Sequence, residues 1–167
     1  MKMNIHGLTI RDVKKEDNVA LAQIIRNTLT EFGANRQGTV FYDASTDALY
    51  ELFQTPQSAY FVAELNGVVV GGAGIFPTEG LAASTCELVK MYLVPEARGL
   101  GIGYKLIQLC EKKALSFGYN NIYLESMPEL KQAIGLYEKQ GFVYLTAAMG
   151  SSVHFGCNVW MHKKISN

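Results

Sequence analysis

An apolar run from Leu88 to Val94, interrupted only by Lys90, halts at Pro95 and leads into Arg98-Gly99-Leu100-Gly101-Ile102-Gly103. Proline has no N–H for a ladder, so a strand ends there. Helical spacing of apolar residues follows the glycines at once. A strand, a glycine-rich turn and a helix N-terminus in this order build an anion site. The first amides of a helix lack intrahelical partners, and its dipole adds partial positive charge. Glycines remove the β-carbons that would hold a phosphate away from those amides. The segment predicts a turn that receives a pyrophosphate.

Two common phosphate loops do not fit. A Walker turn needs Gly-Lys-Ser/Thr, and Gly103 precedes Tyr104. A dinucleotide fingerprint starting at Gly99 or Gly101 would need a third glycine at Tyr104 or Leu106. Arg-x-x-Gly-x-Gly does fit, and it resembles the pyrophosphate signature of the GNAT superfamily of acetyl-CoA-dependent N-acetyltransferases. Leu136-Tyr137-Glu138-Lys139-Gln140-Gly141-Phe142, with Ala133 upstream, resembles a second segment of that superfamily. Glu64 to Gly71 resembles its central hairpin. The likeness covers roughly residues 60 to 145. One departure stands out: where many members carry a cofactor-holding Asn, this chain has Leu130.

The resemblance implies an α/β (α+β mixed) GNAT-like fold. Its sheet has about seven strands, mostly antiparallel and twisted, with helices on both faces and two central parallel strands splayed apart. It implies acetyl-CoA as cosubstrate, no metal, and an amine acceptor of a small molecule or peptide. The pantetheine arm would pair with the backbone of Met91, Tyr92, Leu93 and Val94, as an added strand does. Arg98, Gly99, Leu100, Gly101, Ile102 and Gly103 would hold the pyrophosphate. Glu87 would act as general base, directly or through water, and Tyr137 as the acid that protonates the departing thiolate. A non-catalytic acyl-CoA sensor and a protein N-terminal or lysine acetyltransferase are the alternatives.

The residues carry their own chemistry beside that likeness. Strict alternation puts Glu87, Val89, Met91 and Leu93 on one face, where an apolar row would raise the Glu87 pKa. A solvent-facing carboxylate paired with a cation on a neighbouring strand is equally compatible with this position. Tyr137, a phenol of pKa about 10, stays protonated at neutral pH and can donate. Its plain alternative is a core tyrosine with a satisfied hydroxyl. Phe32, Asn35, Arg36, Tyr42 and Asp43 would border the acceptor cleft, with Asp43 and Glu79 able to attract a cation. His154 and Cys157 have no second pair to complete a zinc site, and read as substrate-end or core residues. Cys86 and Cys110 read as small buried hydrophobes.

With 167 residues the chain forms one domain over 1–167, large enough for a core without staples. A formal net charge of zero argues against a nucleic-acid surface or polybasic membrane patch. Three widely spaced cysteines and no apolar run approaching ~18 residues predict a reduced, cytoplasmic protein. Monomer and homodimer both fit.

Periodicity and breakers predict the elements. Strands fall at 8–13, 60–65, 68–75, 85–94, 121–125, 142–146 and 157–163. Helices follow Asp17 or Asn18 up to Gly33, then span 45–53, 101–117 and 129–140. Asn66-Gly67 should form a two-residue hairpin turn. Gly71, Gly72 and Gly74 inside a strand mark a bulge or a close approach.

Overall fold

The hairpin at Asn66-Gly67 forms as its sequence dictates, with φ of 52° and 79° at the two residues. Both values lie in the left-handed region that a tight hairpin turn requires. The computed structural model describes residues 5–151 and 153–167. Its elements in chain order are β1 (Leu8–Asp12), α1 (Asn18–Glu31), α2 (Leu49–Leu52), β2 (Ala59–Leu65), β3 (Val68–Phe76), β4 (Thr85–Leu93), α3 (Ile102–Ser116), β5 (Asn121–Ser126), α4 (Lys131–Lys139), β6 (Val143–Leu145) and β7 (Val159–Lys164). The seven strands make one sheet in the order β1-β2-β3-β4-β5-β7-β6. All neighbours are antiparallel except β4 and β5, which α3 connects and which run parallel.

Side-chain alternation gives the sheet two apolar faces. On one, Ala63, Ala73, Ile75, Cys86, Leu88, Ile122 and Leu124 pack with Ile102, Leu106 and Cys110 of α3 and Tyr137 of α4. On the other, Tyr60, Val62 and Val89 pack with Leu21, Ile25 and Leu29 of α1 and Leu49 of α2. Helices therefore cover both faces, as expected. Among the described residues no helix is long and apolar enough to cross a membrane.

Two local expectations fail for tertiary reasons. Asp17 does not cap α1 through its side chain. Its carboxylate accepts the Arg11 guanidinium at 2.8 Å and the Lys14 N–H at 2.7 Å instead. The helix expected over 45–53 splits into a 3₁₀ turn at Ala44–Asp47 and the single turn of α2. Asp47 is drawn into a bidentate pair with Arg26 of α1, and the Thr46 hydroxyl donates to the Val40 carbonyl at 2.6 Å. Those contacts bend the segment along α1 and outweigh its helical propensity.

Candidate active site

β4 and β5 stay paired only at Thr85–Asn121, Cys86–Ile122 and Glu87–Tyr123. β4 runs six residues further, to Leu93, without β5 beside it. The sheet is forked here, and Glu87 stands at the crotch. A cavity of about 870 Å³ occupies the fork, lined on one side by β4 and on the other by Ala133, Leu136 and Tyr137 of α4. Its volume suits a bound organic molecule.

The edge that faces the fork is set by a bulge. Gly72 opposes Tyr92 while Gly74 opposes Val89, so β4 carries one extra residue between them. That residue is Lys90, whose φ is +51°. The bulge corrects the expected alternation. Glu87, Val89 and Tyr92 look toward the α1 side, whereas Met91 and Leu93 pack with the α3 side. The glycines of β3 explain how the bulge is held. A β-carbon at Gly74 would stand 2.7 Å from the Tyr60 ring, and one at Gly72 2.6 Å from it. With neither present, the ring lies against the strand and its hydroxyl donates to the Lys90 carbonyl at 2.8 Å.

Beyond the bulge the Val94 N–H donates to the Val70 carbonyl at 2.9 Å. Peptide groups alternate in direction, so Tyr92 also pairs toward β3, and the N–H groups of Met91 and Leu93 face the fork. Met91, Tyr92 and Leu93 line the cavity. Val94 does not. Its amide is already committed, so of the four residues expected to meet a ligand by backbone, Val94 has no N–H to offer.

The glycine turn forms at the mouth. Gly101 is the α3 N-cap at φ 84°, left-handed backbone that costs an L-residue roughly 1–2 kcal/mol. The first bond of the helix runs from Lys105 N–H to Gly101 C=O at 3.2 Å. Among the described residues no backbone N–H from Gly99 to Tyr104 donates to a backbone carbonyl. Leu100 and Ile102 present such amides, and the Ile102 side chain is fully buried in the core. Gly103 serves packing: a β-carbon there would meet Leu136 at 2.8 Å and Met91 at 3.0 Å. Arg98 is engaged differently from expectation. Its fork makes two 2.9 Å bonds to Glu31, its Nε donates to the Leu93 carbonyl at 3.0 Å, and it lies over the Phe32 ring. Arg98 thus ties the end of α1 to the phosphate turn.

Glu87 is 6% exposed and belongs to no ion pair of the described residues. Burial is the main cause that pushes its carboxyl up to about 7, partly offset by the Thr78 hydroxyl, which donates to it at 2.7 Å. That environment excludes the solvent-facing reading. Tyr137 is buried, and burial raises its phenol further above the ordinary value. Its hydroxyl has no hydrogen-bond partner among the described residues, yet no enclosed side-chain oxygen there is left unsatisfied. The oxygen therefore opens on the cavity it lines. A core tyrosine with a satisfied hydroxyl is not what the structure contains.

A polar cluster that the sequence did not assemble lies beside Glu87. His154 Nε2 is 2.7 Å from Asp43, its Nδ1 is 3.9 Å from Glu125, and Lys90 Nζ is 3.7 Å from Asp43. The Tyr123 hydroxyl donates to Glu125 at 2.7 Å. The hydrogen bond to Asp43 raises the His154 pKa. Burial penalises the Asp43 charge, but His154 and Lys90 outweigh it and hold that carboxyl below its ordinary value. Phe32 and Glu79, expected at the acceptor cleft, also line the cavity. Tyr42 is half exposed, and Arg36 is pinned to Glu129 and the Gly156 carbonyl.

The segment joining β6 to β7 closes this end. Gly156 N–H donates to the Gly38 carbonyl at 2.9 Å, and Ser151 N–H to the Glu79 carbonyl at 3.3 Å. Gly38, Gly80 and Gly156 permit these approaches; a β-carbon at any of them would come within 2.7 Å of the opposing backbone.

The arrangement brings together a turn of amides without backbone partners, a strand edge unpaired by β5, a buried carboxylate raised to about 7 and a phenol that lines the same cavity. The model of the acetyltransferase (GNAT) family matches residues 22–142. The uncharacterized N-acetyltransferase YjgM of Escherichia coli strain K12 is 38% identical over 157 residues, which cover 93% of this chain and 94% of that protein. An acetyltransferase from Streptococcus agalactiae superposes with a TM-score of 0.83 at 18% identity, covering 96% of this chain and 99% of the other. The PaiA N-acetyltransferase of Thermoplasma acidophilum, solved in complex with coenzyme A, gives 0.73 at 19% identity over 94% of this chain and 98% of its own. Sequence and fold agree, and the chain belongs to the GNAT family as an acyltransferase of the N-acetyltransferase type.

Proposed function

We propose that this protein moves the acetyl group of acetyl-CoA directly to a primary amine of a small molecule or peptide. The observation that supports it most is the fork itself. Glu87 at its closed end, Met91 and Leu93 on the unpaired stretch of β4 and Tyr137 of α4 all line the one cavity, which supports this reading. The site fits the cosubstrate. Six consecutive amides without backbone partners receive the pyrophosphate, and the unpaired β4 edge receives the pantetheine amides. Leu130 also lines this cavity and adds apolar contact where an Asn would add a hydrogen bond.

Acetyl-CoA supplies the activated acyl thioester; the protein's residues supply everything else. Glu87 takes a proton from the incoming ammonium, because an ammonium is not a nucleophile. The strand-edge amides stabilise negative charge that develops on the acyl oxygen. Tyr137 donates its proton to the thiolate, whose conjugate thiol has a pKa near ~8.5. Arg98 acts mainly by fixing the turn against α1 and by its positive charge near the pyrophosphate.

The direct test measures thiol release from acetyl-CoA against a panel of primary amines. Release with at least one amine supports the transferase; a coenzyme A-induced rise in melting temperature with no release from any amine supports a sensor. Tyr137→Phe is expected to lower turnover by about 10²-fold. Coenzyme A affinity, read by calorimetry, should stay within about threefold, since the hydroxyl makes no bond that holds the fold. A large loss of affinity at unchanged turnover would remove Tyr137 from the acid role.

A further inference from the structure

Lys90 is the least expected side chain in the cavity. Its side chain is 5% exposed, it sits at the one-residue bulge of β4, and its backbone occupies left-handed space that bulky residues avoid. Strain of this kind costs on the order of 1–3 kcal/mol and persists where the surroundings over-determine it. Tyr60 and the two strand glycines do so here. A bulge re-aims a side chain, and this one turns the ammonium toward Asp43 and into the acceptor end of the cavity.

What that ammonium meets is incomplete. Among the described residues its one ion-pair partner is Asp43, at 3.7 Å, beyond good hydrogen-bond distance. Asp43 is already held by His154 at 2.7 Å. An ammonium has three donors, so donors remain for something else.

The acceptor poses the complementary problem. A primary amine reaches the site as an ammonium, and a second ammonium nearby repels it. Glu87 and Glu125 lie at the fork end of the cluster, whereas Lys90 lies at the Asp43 end. A bare amine leaves the Lys90 ammonium with no ion-pair partner among the described residues beyond Asp43 at 3.7 Å. A molecule with an ammonium at one end and a single negative charge at the other engages both ends of the cluster. A dianion such as a phosphate monoester would put too much charge beside Asp43.

We propose that the acceptor is an amino acid or a close analogue with a free carboxylate, which Lys90 binds while Glu87 faces the amine. This rests on the transferase reading and names its substrate class. Lys90 is then a specificity residue, not a catalytic one.

The test compares matched compounds on the full-length protein. L-α-amino acids, β-alanine and 4-aminobutanoate are assayed against their carboxamides and the corresponding decarboxylated amines. The expected result is that for the preferred skeleton the carboxylate form has a kcat/KM about 10- to 100-fold above the carboxamide, the range for a hydrogen bond to a charged group. Lys90→Met should bring that ratio to within about threefold of unity, and Lys90→Arg should restore part of it. A merely structural role would lower all acceptors together and leave the ratio alone. Equal or better use of carboxamides and plain amines by the wild type, or an unchanged ratio in Lys90→Met, overturns the proposal. If no compound releases thiol, the transferase reading fails separately. The carboxylate preference is then read from melting-temperature shifts of the coenzyme A-loaded protein with the same pairs, where a shift for the carboxylate alone supports Lys90 and equal shifts reject it.

Discussion

Glu87→Gln is expected to lower kcat/KM by about 10²- to 10⁴-fold, the usual contribution of a positioned general base. The amide is isosteric and can still accept the Thr78 hydroxyl, so coenzyme A affinity should hold. The pH profile identifies the cause. In the wild type, activity should climb as pH rises through about 7, where buried Glu87 gives up its proton. The variant should lack that limb. Stability should move the opposite way. The folded state keeps the Glu87 proton where the unfolded state has lost it, so this group's contribution is most favourable below its ordinary value of 4.5. It declines as pH rises and levels off above about 7. The decline amounts to about 3 kcal/mol at about 1.4 kcal/mol per unit. Glu87→Gln should remove it, and the variant should then tolerate more denaturant than the wild type at pH 8 but not at pH 5. Retained activity with an unchanged limb would transfer the base role to another group.

Gly101→Asp is expected to weaken coenzyme A binding by on the order of a thousandfold, because like-charge juxtaposition at a binding surface costs several kcal/mol. The aspartate would place its carboxylate at the α3 N-terminus, where the amides of the turn have no backbone acceptor. Gly101→Ala separates the two components. It should lose only the roughly 1–2 kcal/mol of the left-handed backbone, seen as a lower melting temperature without ligand. Calorimetric titration of both variants decides the matter; undiminished affinity in Gly101→Asp would move the pyrophosphate elsewhere.

Local signals made much of this protein legible. The Asn66-Gly67 turn, the stop at Pro95 and the glycine turn are set by residues within a few positions of one another, and each formed where sequence placed it. The parallel direction of β4 and β5 follows from the helix that connects them, whereas their fork came from family resemblance. The bulge at Lys90 had no local mark. It depends on a Tyr60 ring resting on Gly72 and Gly74, and one inserted residue was enough to reassign Met91 and Leu93 to the opposite face. The cluster of Asp43, Glu125 and His154 was hidden for the same reason, as Asp43 and His154 are 111 residues apart. Arg98 has a partner that its motif does not announce, Glu31, 67 residues distant.

The seam between the β6–β7 segment and the loops at Gly38 and Gly80 joins peptide group to peptide group, and His154 to Asp43 and Arg36 to the Gly156 carbonyl pin the same segment from its flanks. The side chain of Val153, which borders the cavity, carries none of these bonds and can be exchanged without unfastening it. The rim can thus be re-tailored at that position while the cover keeps its seat. The three glycines beneath form the part that tolerates no such tailoring.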